Sequence, residues 1–151
     1  MSRAIVVGVD GSDASREALR WGSEEARLRF LPLVAVHAWS FIPPQPIGDP
    51  GMLAMPAGDL PGQLQAESEA ARMALDEIVE NALGTDPGIE IERKLVEGDA
   101  GEALVADSAE AELVVVGSHG RSGLKAALLG SVSRHVVSHA TCPVVVVKAS
   151  D

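Results

Sequence analysis

Runs of apolar, β-branched residues alternate along this chain with longer segments whose apolar positions recur at helical spacing. The runs Ala4–Val9, Leu33–Trp39 and Leu113–Val116 lack regular polar alternation, which is typical of parallel strands buried on both faces. Ile89–Val96 begins with alternation, so we predict a strand near a sheet edge. Val144–Lys148 completes a set of five predicted strands.

The segments between these strands predict helices. Amphipathic spacing covers Ala14–Phe30 and Leu64–Leu83, and a D-x-x-E capping box at Asp99 begins a third helix. The last helix is predicted over Ser131–Ala140, with its first serine as the N-cap. The resulting alternation predicts one α/β domain over residues 1–151, with a doubly wound, parallel, right-handed sheet.

One segment interrupts this alternation. Residues 40–62 hold six of the nine prolines, and we predict a variable Pro/Gly-rich surface loop there. The loop follows the carboxyl end of a strand, and doubly wound sheets bind ligands beyond that edge, where the strand order reverses. Asp10 follows the first strand and Gly117 follows the fourth. If those strands are neighbours, we expect both residues to face one crevice.

Composition narrows the class of protein. A chain of 151 residues, 46% hydrophobic and 23% charged, is typical of a globular domain. No apolar run approaches the ~20 residues that a transmembrane helix needs. A net charge of −10 argues against nucleic-acid and anionic membrane partners, because phosphate neutralisation requires a basic face. The single cysteine, Cys142, fits a reducing cytoplasm.

The strongest chemical pattern lies between Leu113 and Ala140. The strand ends at Gly117, and Gly120 and Gly130 precede a serine-rich helix start. Glycines let a ligand approach the backbone closely, and the free N–H groups and dipole of a helix start favour an anion. This strand, glycine loop and helix therefore predict a phosphate site. The alternative is that the glycines are ordinary turn residues.

Other nucleotide and hydrolase motifs are absent. The chain has neither G-x-x-x-x-G-K-(S/T) nor G-x-S-x-G, and its first strand runs into Val9-Asp10-Gly11 instead of G-x-G-x-x-G. Asp10 can accept hydrogen bonds from a ribose, a base amine or the water shell of a metal, or it can cap the first helix. Arg121 and Lys125 can meet a terminal phosphate. No nucleophile–base pair is evident, which favours binding over catalysis.

The four histidines suggest different roles. His135 and His139 have the i, i+4 spacing of a metal pair, with His119 or Cys142 as a third ligand. We favour the alternative that the pair flanks the apolar stripe of the last helix. His119 lies inside the glycine loop and can line a ligand, whereas His37 is predicted to be a hydrogen-bonded strand histidine.

The string G-x2-G-x9-G-(S/T), from Gly117 to Ser131, resembles the ATP-binding signature of the universal stress protein family. The segments IVVGVDGS, VEGD and CPVVVVK resemble further landmarks of that family, and the resemblance extends from Ala4 to Lys148. It implies a Rossmann-like fold of the adenine nucleotide alpha hydrolase type. In that fold an open five-stranded parallel sheet has the order 3-2-1-4-5.

The resemblance also implies a ligand and its contacts. The ligand would be ATP, with or without Mg²⁺, and Asp10 and the backbone around Ala38 would lie near adenine and ribose. Arg121 occupies a place often held by Arg or Lys. The residues that would wrap ribose and triphosphate are Val116, Gly117, Gly120, Gly130, Ser131, Val132 and Ser133.

Three functions are compatible with the sequence. The first is an ATP-binding regulatory protein of the cytoplasm that reports stress or energy status to an unidentified protein partner, with AMP or a cyclic nucleotide as alternative ligands. The second is a slow ATP hydrolase that uses Asp10 and a metal. The third is a nucleotide-independent dimerisation module, against which the glycine signature argues. The apolar edge strand Val144–Val147 invites pairing, so we expect a homodimer, as the family resemblance also implies.

Overall fold

The computed structural model describes residues 3–41, 60–120 and 128–149. These ranges contain strands and helices in strict alternation. The strands are β1 (Ile5–Gly8), β2 (Leu33–Trp39), β3 (Ile91–Glu97), β4 (Leu113–Gly117) and β5 (Val144–Val147). The helices are α1 (Asp13–Arg29), α2 (Leu60–Leu83), α3 (Ala100–Ser108) and α4 (Ser131–His139).

The strands form one parallel sheet in the order β3-β2-β1-β4-β5. The order reverses between β1 and β4, which are hydrogen-bonded neighbours with Ile5 opposite Leu113. The predicted α/β fold, the sheet order and the edge position of β3 are therefore confirmed. The reversal places the ends of β1 and β4 side by side, where a doubly wound sheet binds its ligands.

Helices cover both faces of the sheet, which explains why its central strands lack polar alternation. On one face, α1 and α2 bury a core that includes Val7, Leu19 and Leu75. On the other face, α3 and α4 pack over a second core that includes Leu104 and Val136. Within the described ranges, none of the helices is long and apolar enough to cross a membrane.

The start of α2 differs from the sequence prediction by four residues, whereas the other helix boundaries lie within one residue of it. Helix α2 begins at Leu60 instead of Leu64, so the last residues of the predicted loop are helical. Pro61 fits there because residues in the first turn of a helix donate no intrahelical hydrogen bond, so the N–H group that proline lacks is not missed. Helix α1 ends before Pro32, because Phe30 adopts a left-handed conformation with φ of 55° and its N–H bonds back to the last turn. The rest of the predicted loop, residues 42–59, lies outside the described residues.

The starts of α1, α3 and α4 differ in whether a side chain caps their first N–H groups. The Ser12 hydroxyl accepts the Ser15 N–H at 3.2 Å in α1, and Asp99 Oδ1 accepts the Glu102 N–H at 2.9 Å in α3. The prediction of Ser131 as the N-cap of α4 is wrong. Gly130 takes that position with an extended backbone, so α4 begins without a side-chain cap.

Leu75 tests the assignment of the α2 face that packs on the sheet. Leu75→Ala should lower the free energy of unfolding by about 2 to 5 kcal/mol, because a completely buried side chain is replaced by a cavity. Met73→Ala is the control on the same helix: its side chain is exposed, so the loss should stay within about 0.5 kcal/mol. Urea denaturation measures both, and equal losses would contradict the assigned face.

Candidate functional site

A cavity of about 310 Å³ lies beyond the carboxyl ends of β1, β2 and β4, under the first turns of α3 and α4. Its volume falls within the range of small-molecule sites. The structure brings eight of the ten predicted site residues to its lining: Asp10, Val116, Gly117, Gly120, Gly130, Ser131, Val132 and Ser133.

The other two predicted residues are not placed in this lining. Ala38 lies on β2 opposite Val96, two residues beyond Val36, which lines the cavity in its place. Both residues point to the same sheet face, but Ala38 lies further toward the open end of the strand. The proposed role of the backbone near Ala38 stays a prediction. Arg121, like Lys125, lies outside the described residues.

Asp10 is held in a fixed orientation at the end of β1. Its Oδ1 accepts the Ser12 N–H at 2.9 Å, and its own N–H donates to the Ser15 hydroxyl at 3.3 Å. Its Oδ2 faces the glycine loop so closely that a methyl group at Gly120 would come within 2.6 Å of it. Asp10 and the loop therefore share one crevice, as expected if β1 and β4 are neighbours. Among the described residues, Oδ2 has no hydrogen-bond partner.

His37 supports the end of β1 from the adjacent strand. Its Nδ1 lies 2.9 Å from the carbonyl oxygen of Val9, and because a carbonyl only accepts, Nδ1 carries the proton. This agrees with the predicted hydrogen-bonded strand histidine. The contact fixes the residue immediately before Asp10 and so helps to hold that carboxylate in place.

Gly117 permits close contact between β4 and the start of α1. A methyl group at this position would lie 2.8 Å from the backbone carbonyl carbon of Ala14 and 2.9 Å from the backbone N of Ser15. Backbone atoms cannot move aside as a flexible side chain can, so a larger residue would displace α1. This glycine serves packing as well as ligand access, which the sequence pattern alone does not distinguish.

The carbonyl of Ser118 closes the base of the glycine loop. It accepts the Gly130 N–H at 2.8 Å, and the hydroxyl of Ser133 lies 3.1 Å from the same oxygen. The Ser133 hydroxyl is also 3.0 Å from the Gly130 carbonyl. Hydrogen bonds to the Ser118 carbonyl thus connect the two ends of the loop. Since the Ser133 hydroxyl is already engaged, its backbone N–H is the group that remains for a ligand.

The start of α4 presents unpaired amides at the cavity. The N–H groups of Ser131, Val132 and Ser133 make no hydrogen bond to the part of the chain that the structure describes. Helices α1 and α3 have side-chain caps, whereas the N-cap of α4 is Gly130, which has no side chain to accept a hydrogen bond. An anion placed here would satisfy these amides and interact with the positive end of the helix dipole.

An apolar wall, which the sequence motif did not identify, faces these polar groups. Val36 from β2 and Leu104 from α3 line the cavity together with Val116. Residues of this type are indistinguishable from core residues in the sequence, and only the packing of α3 shows that they border a cavity. Further lining residues outside the motif are Gly8, Val9, Ser15 and Ala100. His119, inside the glycine loop, lines the cavity as its position in the sequence predicts.

The remaining titratable candidates do not assemble a metal site in the described parts of the chain. The rings of His135 and His139 stack with centroids 4.5 Å apart, but no group of three or more His, Cys, Asp or Glu ligands occurs among the described residues. His119 instead lies 3.0 Å through its Nδ1 from the Ser118 hydroxyl. Burial raises the pKa of the Cys142 thiol, which makes it a poor nucleophile.

Comparison with known sequences relates this chain to a protein family. A family model described as the universal stress protein family matches residues 1–148. A universal stress protein of Mycobacterium tuberculosis (strain ATCC 25618 / H37Rv) is 38% identical over 146 residues, which are 97% of this chain and 45% of that protein. The chain thus spans about half the length of the curated relatives it matches.

Two solved structures share the fold and contain a nucleotide. A universal stress protein in complex with cAMP superposes with a TM-score of 0.60 and 27% identity, over 99% of this chain and 98% of its own. The universal stress protein from Archaeoglobus fulgidus in complex with dAMP gives a TM-score of 0.55 and 27% identity, over 97% and 98%. Since the family model covers nearly all of its residues, the chain belongs to the universal stress protein family.

Proposed function

We propose that this protein binds an adenine nucleotide, preferentially ATP, and acts as a nucleotide-sensing regulator in the stress response of the cytoplasm. The observation that carries the proposal is the pairing of the uncapped start of α4 with the Asp10 carboxylate across one cavity. Phosphate is expected at the amides, because a carboxylate repels it. The base or ribose is expected at Asp10.

The lining supports this orientation. Asp10 Oδ2 can accept a hydrogen bond from a ribose hydroxyl or a base amine, and Val36, Leu104 and Val116 offer the apolar surface that a purine requires. Backbone amides bind phosphate without adding positive charge, which suits a chain with a net charge of −10. A Mg²⁺ ion bound to the phosphates would be the alternative partner of Asp10 Oδ2, through the water shell of the ion.

The relatives of known structure support an adenine nucleotide as the ligand, but the number of its phosphates is not determined by them. Both nucleotides in those complexes, cAMP and dAMP, carry a single phosphate. The glycine loop between Gly120 and Gly130, with Arg121 and Lys125 inside it, is the reason for preferring ATP. AMP or a cyclic nucleotide is the alternative ligand of the same cavity.

The chemistry of the described lining favours sensing over hydrolysis. Asp10 and His119 are its only titratable side chains among the described residues. A hydrolase requires a group that positions and activates water. The competing function, slow metal-dependent hydrolysis through Asp10, is separated from sensing by a phosphate-release assay on the same samples.

We also propose a homodimer through β5. This strand is four valines at an edge of the sheet, half-buried and without a charged residue. On α1, Arg20 and Arg27 donate hydrogen bonds to the carbonyls of Ala82 and Pro87, so this side of α1 faces α2. Trp21 follows Arg20 by one residue, which is about 100° round the helix, and therefore faces away from α2 on the β5 side. Trp21 is partly exposed and would extend the apolar surface that a second copy covers.

Asp10→Asn tests the nucleotide site. Isothermal titration with ATP and with AMP, each with Mg²⁺, should show at least about tenfold weaker affinity for the variant, because an amide nitrogen replaces the accepting Oδ2. Asp13→Asn is the matched control: this acid lies on the first turn of α1, pairs with Arg16 and should leave affinity unchanged.

The same titrations decide the finer points. Binding of ATP more tightly than AMP supports the preference for ATP, and the reverse order replaces it with a monophosphate. Absence of nucleotide binding by the wild-type protein would refute the proposed function. Phosphate release that disappears in Asp10→Asn would establish the hydrolase instead.

Trp21→Glu tests the homodimer. Analytical ultracentrifugation at micromolar concentration should show a dimer for the wild type and a shift toward monomer for the variant, because a charge is then placed beside the paired strands. Met73→Glu, an exposed apolar residue on α2, is the control and should remain dimeric. A wild-type mass of one chain would contradict the proposal.

A further inference from the structure

Two short helices, α3 and α4, border the proposed nucleotide cavity. Helix α3 contributes Ala100 and Leu104 to the lining, and α4 contributes the free amides from Ser131 to Ser133. The apolar wall and the anion-binding groups therefore stand on separate helices. Their relative position depends on how closely α3 and α4 pack together.

The side chain of His135 on α4 lies against Gly101 on α3. A methyl group at Gly101 would be 2.9 Å from Cδ2 of the His135 ring and 3.3 Å from its Cγ. Gly101 is buried and directly follows Ala100, and His135 lies one turn after Ser131. The contact thus joins the segments of α3 and α4 that border the cavity.

His139 contacts His135 through both a ring stack and a hydrogen bond. The two rings stack at a centroid distance of 4.5 Å and an interplanar angle of 30°. The Nδ1 of His139 lies 3.0 Å from the carbonyl oxygen of His135, so it donates to that oxygen and fixes its own ring. The His135 ring therefore contacts both the His139 ring and the start of α3, which restricts its rotamers.

The other side of the contact is fixed as well. Asp99 Oδ1 would lie 3.1 Å from the same added methyl group, and it accepts the Glu102 N–H that begins α3. The start of α3 is thereby tied to the capping residue while the His135 ring lies against it. A methyl group at Gly101 would therefore meet both the His135 ring and the capping carboxylate of Asp99.

Building on the proposed function, we infer that His135 is a positioning residue of the nucleotide site. Its ring packs against Gly101 and stacks on His139. In this position the ring determines the distance between the apolar wall on α3 and the anion-binding start of α4. The role is steric, so a flat aromatic ring of similar size should preserve it. His135 itself is not among the residues that line the cavity.

A double-mutant cycle on Gly101 and His135 tests the inference by titration with ATP and AMP. Gly101→Ala should weaken affinity about tenfold, because the methyl group meets the ring and separates the helices. Adding His135→Ala to that variant should recover most of the loss, since the obstructing ring is gone. His135→Ala alone should weaken affinity, whereas His135→Phe should retain it.

Unfolding midpoints measured on the same variants separate positioning from stability. Alanine in a helix is intrinsically more favourable than glycine, so without the contact Gly101→Ala would stabilise the protein and leave affinity unchanged. That result, or losses of affinity that simply add in the double variant, would overturn the inference. The control Val137→Ala, an exposed residue of α4, should change neither quantity.

The titrations also distinguish this inference from the proposed function. A wild-type protein that binds nucleotide, with variants of unchanged affinity, overturns the role of His135 alone. A wild-type protein that binds no nucleotide overturns both. If Gly101→Ala does not fold, the contrast between His135→Ala and His135→Phe decides the matter, because neither substitution adds bulk at Gly101.

Discussion

The hydrogen-bonded pairing of β1 with β4 is the interaction on which the rest of this structure depends. It joins two segments that are more than a hundred residues apart in the chain, with Ile5 opposite Leu113 and Val7 opposite Val115. Because the strands are parallel, both carboxyl ends emerge at one edge, and the crossovers leave a crevice there. Asp10 and the glycine loop meet in that crevice. Without this pairing the two halves of the proposed site would not face each other.

The site is held together mainly by contacts inside the protein. The Ser118 carbonyl joins both ends of the glycine loop, and Gly117 lets the start of α1 pack against the end of β4. His37 and Ser12 fix the position of Asp10. Groups restrained in this way need little reordering when a ligand binds, which lowers the entropic cost of association. The free amides of α4 are thus presented by a largely preformed frame.

The two edges of the sheet differ in a way that bears on association. On β3, Arg93 pairs with Asp76 and Lys94 with Asp107, both at 2.7 Å, and such charges discourage pairing with another strand. The edge at β5 is uncharged and apolar. In the homodimer proposed above, a second copy would therefore add to the sheet at β5 and not at β3. The cavity opens at the strand ends, so pairing there would leave it accessible.

The amino-acid sequence by itself determined the elements and most of the candidate site. Continuous apolar runs predict the strands and helical spacing predicts the helices, because burial imposes these patterns locally. The spacing of Gly117, Gly120 and Gly130 marks the loop. Only the tertiary structure decided that Gly130 and not Ser131 is the N-cap of α4, that the Ser133 hydroxyl bonds to backbone carbonyls, and that Leu104 borders a cavity. These features depend on contacts between distant segments. A pattern of neighbouring residues reports which surfaces are buried, but not which surfaces meet.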